Sequence, residues 1–385
     1  MTGRAGKEVL RVVLLAHAVI WVAWLIYAFG VAPVLPERDW VYLREVGKSF
    51  LAGDWASLYG ERKIGEGTML FRYPPFVLYA LALLAAVPPK TAYALICVVQ
   101  LLAALSTVLL VFRIRKPRDA DLVIAAVFGS AALAHVIVSG QSSAVLALAI
   151  AAAGLCWSSG RNVLAGVCVG LLAWKPNWLP VLGLATVWRG GIRAGAASGM
   201  VVVGLMLSTL PLGAGVWHDF LTITTQSSEI ETRLLAYREI TLLASLRSIL
   251  AWGAATMIIW AVLGTLLAGL AIHALRDARP IGRSIAVLTL LALVVNPYAN
   301  FYDGFVLVIP GVLWYAHRND YSERAWWSIG AWLAAYWLWD MAVFYYSSFV
   351  PAFDSPRLSA AGILLTGWLV TEAVAGVPNP RLRMP

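Results

Sequence analysis

Hydrophobic positions fill most of this chain in long runs, and two polar stretches interrupt them. A helix needs about 20 apolar residues to cross the hydrocarbon core of a bilayer. Runs of roughly that kind, several of them shorter, fall at 10–32, 91–112, 120–138, 143–158, 161–174, 177–189, 193–212, 252–275, 281–296, 303–317, 325–346 and 358–376. The pattern predicts an all-α polytopic membrane protein with about twelve transmembrane helices. The polar stretches lie at 33–90 and 213–251. Within the first, 76–87 is apolar but only about 12 residues long, which predicts an interfacial or re-entrant helix. The expected organisation is one integral membrane domain over 1–385. It has a first membrane helix at 10–32, a loop with short interfacial helices at 33–90, membrane helices over 91–212, a second loop at 213–251 and membrane helices over 252–376.

Composition supports this. The chain is 61% hydrophobic and 13% charged, whereas soluble domains carry about 25% charged residues. The first run is too long for the apolar core of a signal peptide, and no small-residue cleavage site precedes Pro33-Val34-Leu35-Pro36. Cys97, Cys156 and Cys168 all sit in apolar runs without metal-ligand spacing, so a disulfide framework or zinc site is not expected. The net charge of +9 is dispersed and forms no basic run with interleaved aromatics, which argues against nucleic acid as a partner.

The basic residues act instead as topology markers. On the twelve-span scheme, 17 of the 29 Lys and Arg fall on one side, in the termini and short loops such as Arg113-Ile114-Arg115-Lys116-Pro117-Arg118. Ten of the other 12 lie in the two long stretches, where charge has little say over orientation. The basic side is therefore expected to be cytoplasmic, with both termini inside, as in a bacterial inner membrane. The two long loops then face the periplasm, together with the corners around His135, Gln141, Lys175 and Asp303. Chemistry gathered on that face lacks ATP and nucleotide sugars. A group-transfer enzyme there needs a donor already carried across, typically on a lipid.

Each candidate side chain has two readings. Asp39, between Arg38 and Trp40 just past the first span, suits a general base or a helix N-cap. Lys175, flanked by Trp174 and Trp178, suits a lipid-phosphate contact or a snorkelling boundary lysine. Gln141 after Gly140 suits a sugar-hydroxyl contact or an interhelical hydrogen bond. His135 faces the same cavity or is a satisfied interfacial histidine. Asp303, next to Tyr302, orients a sugar, holds a metal or caps a helix. Asp340 lies inside a tryptophan-rich run and must be paired or protonated. Arg72, Arg233, Arg238 and Arg247 are candidate phosphate clamps, and most loop arginines are simply solvated. The 18 tryptophans are mainly interfacial belt residues, with Trp40, Trp55, Trp174 and Trp178 placed to stack on a sugar.

The order Asp39-Trp40-Val41-Tyr42, Gly53-Asp54, Leu58-Tyr59, then Phe71-Arg72-Tyr73-Pro74-Pro75 resembles the first outer loop of glycosyltransferase family 87. Gly140-Gln141, Lys175-Pro176 and Asn296-Pro297 with Tyr302-Asp303 follow in the family's order, so the likeness covers about residues 10–320. The resemblance implies a fold of the GT-C type and inverting transfer of a sugar, usually mannose, from polyprenyl phosphate to a glycolipid or glycan hydroxyl. It maps the family's base carboxylate onto Asp39. Lys175, Arg72 and Arg238 are then donor-phosphate candidates. Trp40, Tyr42, Tyr73, His135, Gln141, Trp174, Tyr302 and Asp303 are sugar or acceptor candidates. No cofactor is required; a divalent metal is neither demanded nor ruled out by these residues. Some members carry a histidine in the late proline-containing motif, where this chain has Asn300, Phe301, Tyr302 and Asp303, so that role does not carry over. The competing class is a transporter or lipid flippase, which predicts ionisable residues through the membrane core and paired broken helices. An acyltransferase would centre on a histidine, for which only His135 offers support.

Overall fold

The computed structural model describes residues 39–55, 58–60, 62–64, 67–235, 239–250, 253–276, 280–349 and 359–375, with scattered positions of a helix between 8 and 23. Most of the expected first span, and the Arg238 site candidate, lie outside the described residues. The described chain is helical apart from one antiparallel hairpin, Arg62–Ile64 with Gly67–Met69.

Two main hydrophobic cores organise the described residues, beside a minor cluster of Ala131, Ala134 and Val138. The smaller is built from the polar stretches themselves. Helix α1 (Asp39–Leu51) packs on α2 (Val77–Ala85) so closely that a Cβ on Gly47 would lie 2.3 Å from the Leu81 carbonyl oxygen. Tyr42, Val46, Leu58, Tyr59, Phe71, Leu78 and Leu81 are joined there by Leu212, Val216 and Phe220 from the start of the second loop. Nine residues of α2 rise only about 14 Å, far short of the bilayer core.

The larger core is the apolar bundle. Helix α3 (Pro89–Ile114) starts with proline at its first turn, where a missing N–H costs nothing. It buries Ala92, Tyr93, Ile96, Gln100, Ala103, Thr107 and Val111 at helical spacing and exposes Leu95, Val99, Leu102 and Leu109 on the other side. A helix apolar all round belongs against lipid. Next come α4 (Ala120–Phe128) and α5 (Ala131–Ser139), bent by 43°. Ser130 Oγ accepts from the Leu133 N–H at the start of α5, and Gly140 ends α5 at φ 69°. Helices α6 (Ser143–Ser158) and α7 (Asn162–Gly170) follow, then two 3₁₀ turns, Leu171–Trp174 and Pro176–Trp178.

The stretch α8 (Leu179–Leu207) is not one rod but two helical arms joined at a kink. Gly191 has φ 73° and ψ −178°. A Cβ on Gly195 would lie 2.5 Å from Val187 Cγ2, and one on Gly190 would lie 2.6 Å from Ala194 Cβ. Positions eight apart in a straight helix are about 12 Å apart along the axis, so the chain doubles back at Gly190-Gly191. Its second arm packs on α7 through Gly166-Val167-Cys168-Val169-Gly170. Cβ atoms at Gly166 and Gly170 would come within 2.1 Å of the Ala194 and 2.7 Å of the Ser198 carbonyl oxygen. Small residues four apart let membrane helices approach backbone to backbone.

The rest comprises α9 (Ala214–Leu235), α10 (Leu242–Leu250), α11 (Ala254–Arg276), α12 (Ile281–Val294), a 3₁₀ segment Phe301–Leu307, α13 (Val308–Ala316), α14 (Glu323–Phe349) and α15 (Ala361–Ala375). Among the described residues, three stretches are long and apolar enough to cross a membrane: Pro89–Ile114, Pro176–Leu212 and Ala254–Arg276; the bent pair α4–α5 makes a fourth if read as one span. Because Pro176–Leu212 reverses at Gly191, it supplies two arms rather than one crossing. Ser143–Ser158, Asn162–Trp174, Ile281–Val294, Phe301–Ala316 and Ala361–Ala375 are apolar but shorter.

Side-chain bonds tie distant segments together at two ends. At one, Asp39, Gln141, Lys175, Asn177, Asn296 and Asp303 meet. At the other, Asp119 meets Tyr315, and Arg283 meets Glu372 beside Tyr321.

Candidate active site

The site collects where α5 turns into α6 and the first long loop closes over it. Asp39 is the first residue of α1, so its carboxylate sits at the positive end of the helix dipole. It is part-exposed, and its Oδ2 accepts a hydrogen bond of 2.6 Å from Gln141 Nε2. Gln141 Oε1 in turn accepts from the Tyr73 hydroxyl at 2.5 Å. Three segments far apart in sequence thus converge on one amide.

The corner that presents Gln141 needs glycine. Gly140 adopts φ 69°, and a Cβ there would lie 2.5 Å from Trp40 Cβ. Trp40 itself is 4% exposed and stacks on Tyr93, with ring centroids 4.9 Å apart. Its apolar side locks α1 onto α3 and so fixes where the adjacent Asp39 points.

Beside this triad lies a buried ion pair. Lys175 bonds Asp303 Oδ1, donates to Ser143 Oγ at 3.2 Å and lies 5.0 Å from the centre of the Tyr302 ring. Ser143 Oγ also donates to Asp303 Oδ1 at 2.6 Å. Asp303 Oδ2 accepts from the Asn300 N–H at 3.2 Å, so it caps the 3₁₀ segment and pairs the lysine at once. Asn300 Nδ2 donates to the Tyr298 and Tyr302 hydroxyls, at 2.9 and 2.8 Å. Asn177 Nδ2 donates to Asn296 Oδ1 at 2.8 Å and to the Tyr298 carbonyl at 2.5 Å. Arg72 lies over the Tyr298 ring at 5.2 Å.

Burial raises the Tyr73 phenol well above its ordinary value, and the charges of Asp303 and Asp39 push it further. It stays protonated, and its hydroxyl hydrogen goes to Gln141. Burial pulls the Arg247 guanidinium down to about 10, and Glu239 draws it partly back up.

Several expected contacts are placed elsewhere. His135 is 3% exposed; its ring lies 4.1 Å from that of Phe301, and its Nε2 is 3.7 Å from Asp340 Oδ1. It faces α14, and helical spacing turns it off the Gln141 corner. Trp40 and Trp178 are buried, and Tyr42 belongs to the smaller core, so these three pack rather than offer a ring to a sugar. Trp174 is half-buried against the bundle core. Trp55 is 38% exposed. Lys175, expected as a point charge for phosphate, has its charge met by Asp303. Asp303, Tyr302, Tyr73, Gln141 and Arg72 do gather around Asp39. Ser143, Asn177 and Tyr298 join the cluster although no sequence motif singles them out. The only hint of them is their place in polar corners, Ser139-Gly140-Gln141-Ser142-Ser143, Trp174-Lys175-Pro176-Asn177-Trp178 and Asn296-Pro297-Tyr298. Among the described residues, no group of three or more His, Cys, Asp or Glu could hold a metal.

The model of glycosyltransferase family 87 matches residues 71–297, more than half of the chain. The chain belongs to glycosyltransferase family 87. It is therefore a membrane glycosyltransferase that takes a sugar donor and an acceptor. The family match contains Arg72, Tyr73, Gln141, Ser143 and Lys175, and stops before Tyr302 and Asp303. Asp39 and Trp40 precede it, so their place in a family 87 site rests on geometry. No curated protein matches the chain.

Proposed function

We propose that this family 87 member transfers a sugar, mannose by resemblance, from a polyprenyl phosphate to a hydroxyl of a glycolipid or glycan, with inversion and with Asp39 as general base. The carrying observation is the convergence of Asp39, Gln141 and Tyr73 beside a second, charge-neutral pair at one end of the apolar bundle. Asp39 takes the acceptor's hydroxyl proton as the acceptor oxygen bonds to the anomeric carbon on the face opposite the donor phosphate. The bond from that carbon to the phosphate oxygen breaks, and its electron pair leaves on polyprenyl phosphate. That leaving group is already a stable anion, so the chemistry asks for positioning, a base and charge stabilisation.

Arg72, half-buried over Tyr298, is the best-placed cation for the donor phosphate; Lys175 takes part as a lysine whose charge it shares with Asp303. Trp55 and Trp174 remain for sugar or acceptor, while Tyr302 is buried against Lys175 and Asn300. These residues do not require a metal for this chemistry and do not rule one out. The fold is of the GT-C type. The basic end, with Arg115, Arg161, Arg189 and Arg283, lies in the cytoplasm with both termini, and the site faces the periplasm. A flippase shares the loops but has no use for a carboxylate held in one orientation.

Purified protein in detergent, offered polyprenyl-phosphate mannose and, separately, polyprenyl-phosphate glucose, tests the donor. Consumption of the first with release of polyprenyl phosphate is expected; consumption of neither would falsify the reading. Labelling intact cells after Ala52→Cys, an exposed position, tests sidedness. Modification only after the cells are opened would invert the topology.

A further inference from the structure

Building on the assignment of Asp39 as base, we infer that Gln141 is a positioning residue for that carboxylate, with Tyr73 bracing the far end of its amide. An amide has one accepting end and one donating end. An ionised carboxylate only accepts, so the 2.6 Å contact with Asp39 Oδ2 demands the amide's NH2. The carbonyl end then points at Tyr73, whose hydroxyl hydrogen it accepts at 2.5 Å. Turned around, the amide would set its oxygen against the carboxylate, a contact with no hydrogen to share. The carboxylate therefore fixes the orientation, and Tyr73, whose hydroxyl can donate or accept, braces it by donating to the carbonyl end.

The amide is also held from behind. Gln141 is 5% exposed. Its backbone N–H donates to the Val136 carbonyl at 3.1 Å, and Gly140 is pressed onto Trp40. Each end of Gln141 already holds a protein partner and the residue is buried, so it serves the base rather than a sugar hydroxyl. The arrangement closes the loop as well, because Asp39 opens it and Tyr73 ends it. The base is therefore in place only when the loop's far end is seated.

Other charged and titratable groups face Asp39. Tyr73 lies within electrostatic reach of both Asp39 and Asp303. Tyr302 lies within reach of Asp39, Tyr73, Tyr298 and Asp303. The Asp303 charge is met by Lys175. Against this background, an N–H donated to the charged carboxylate favours its ionised form. Removing it moves the protonation of Asp39 to higher pH.

The test uses the full chain purified in detergent, with two readouts. Infrared difference spectra first identify the carboxylate band lost in Asp39→Asn, and that band is then titrated. We expect its midpoint to rise by about one pH unit in Gln141→Leu, less in Tyr73→Phe and most in Gln141→Glu, where a second carboxylate faces the first. The kinetic readout is transfer from polyprenyl-phosphate mannose. In Gln141→Leu, kcat should fall by about tenfold to a hundredfold. The KM for donor should stay within about twofold, since the residue does not bind it. The acid limb of the rate profile should move with the infrared midpoint. If Gln141→Leu does not fold, Tyr73→Phe, which removes one oxygen, carries the same test. An infrared midpoint unmoved in Gln141→Leu, Gln141→Glu and Tyr73→Phe overturns the inference. So does a raised donor KM with kcat and acid limb unchanged, which would make Gln141 a sugar contact. If the wild type consumes no donor, the proposed activity falls, and the infrared titration still decides whether Gln141 holds Asp39.

Discussion

The two ends of the helix bundle are built from the same parts and differ in one respect. Each holds a cation between a carboxylate and an aromatic ring. At the basic end, Arg283 Nε bonds Glu372 Oε1 at 3.3 Å, Tyr321 donates to the same oxygen at 2.5 Å, and the guanidinium lies 4.1 Å from the Tyr321 ring centre. At the site end, Lys175 lies between Asp303 and the Tyr302 ring. The first assembly joins α12 to α15 and the turn before α14, a clasp between elements. The second sits beside a part-exposed carboxylate that is held through Gln141. Burying a pair costs several kcal/mol in desolvation per ion, so a clasp of this kind serves specificity more than stability. What marks the site end as chemical is the oriented carboxylate beside the pair.

That comparison can be broken in four places. The largest effect is expected from Asp39→Asn, which keeps the shape and removes the base. Transfer should fall by about 10²–10⁴-fold, with the thermal midpoint in detergent within about 2 °C of wild type. A drop in the midpoint with activity intact would make Asp39 a cap and nothing more. At the other end the signs reverse. Arg283→Ala leaves Glu372 buried without its cation and should cost about 3–5 kcal/mol of stability. The double variant Arg283→Met with Glu372→Leu should recover most of that and stay active, because a clasp can be rebuilt from apolar parts. Loss of activity in a stable double variant would show the basic end to be more than a clasp.

Smaller effects refine the site end. Gly140→Ala forces a Cβ into φ 69° and against Trp40. It should cost about 2 kcal/mol and lower activity beyond that by shifting Asp39. Equal activity per folded molecule would separate the corner from the base. The smallest effect is expected at the exposed pair Lys48–Glu45, 2.6 Å apart. Lys48→Ala should change stability by less than about 0.5 kcal/mol, although its helix also carries Asp39.

Much of the bundle was legible because membrane helices announce themselves through composition alone. Helix α6 occupies 143–158, the range read from its apolar run, and the run at 91–112 appears as Pro89–Ile114. The turn between 189 and 193 was legible as a break in hydropathy, and it is Gly190-Gly191 that makes it. The small core was not legible. Tyr42, Tyr59 and Phe71 look like loop aromatics until Val216 and Phe220 are brought against them from the second loop. The tryptophans misled for a related reason: an aromatic beside a polar motif reads as a ring for sugar, while Trp40 and Trp178 are buried.

The sequence by itself determined that this is a helical membrane protein, which residues could be chemical, and that they collect in a few polar corners. Those properties are local, set by the apolar content of each run and by the residue types at its ends. Only the tertiary structure decided who pairs with whom. Gln141 could have met a sugar, a helix or a base, and Lys175 a phosphate or a carboxylate. Partners 102 and 128 residues away settled both. Side-chain pairing depends on how helices dock, and docking follows from buried shapes such as Gly140 against Trp40, which no local pattern records.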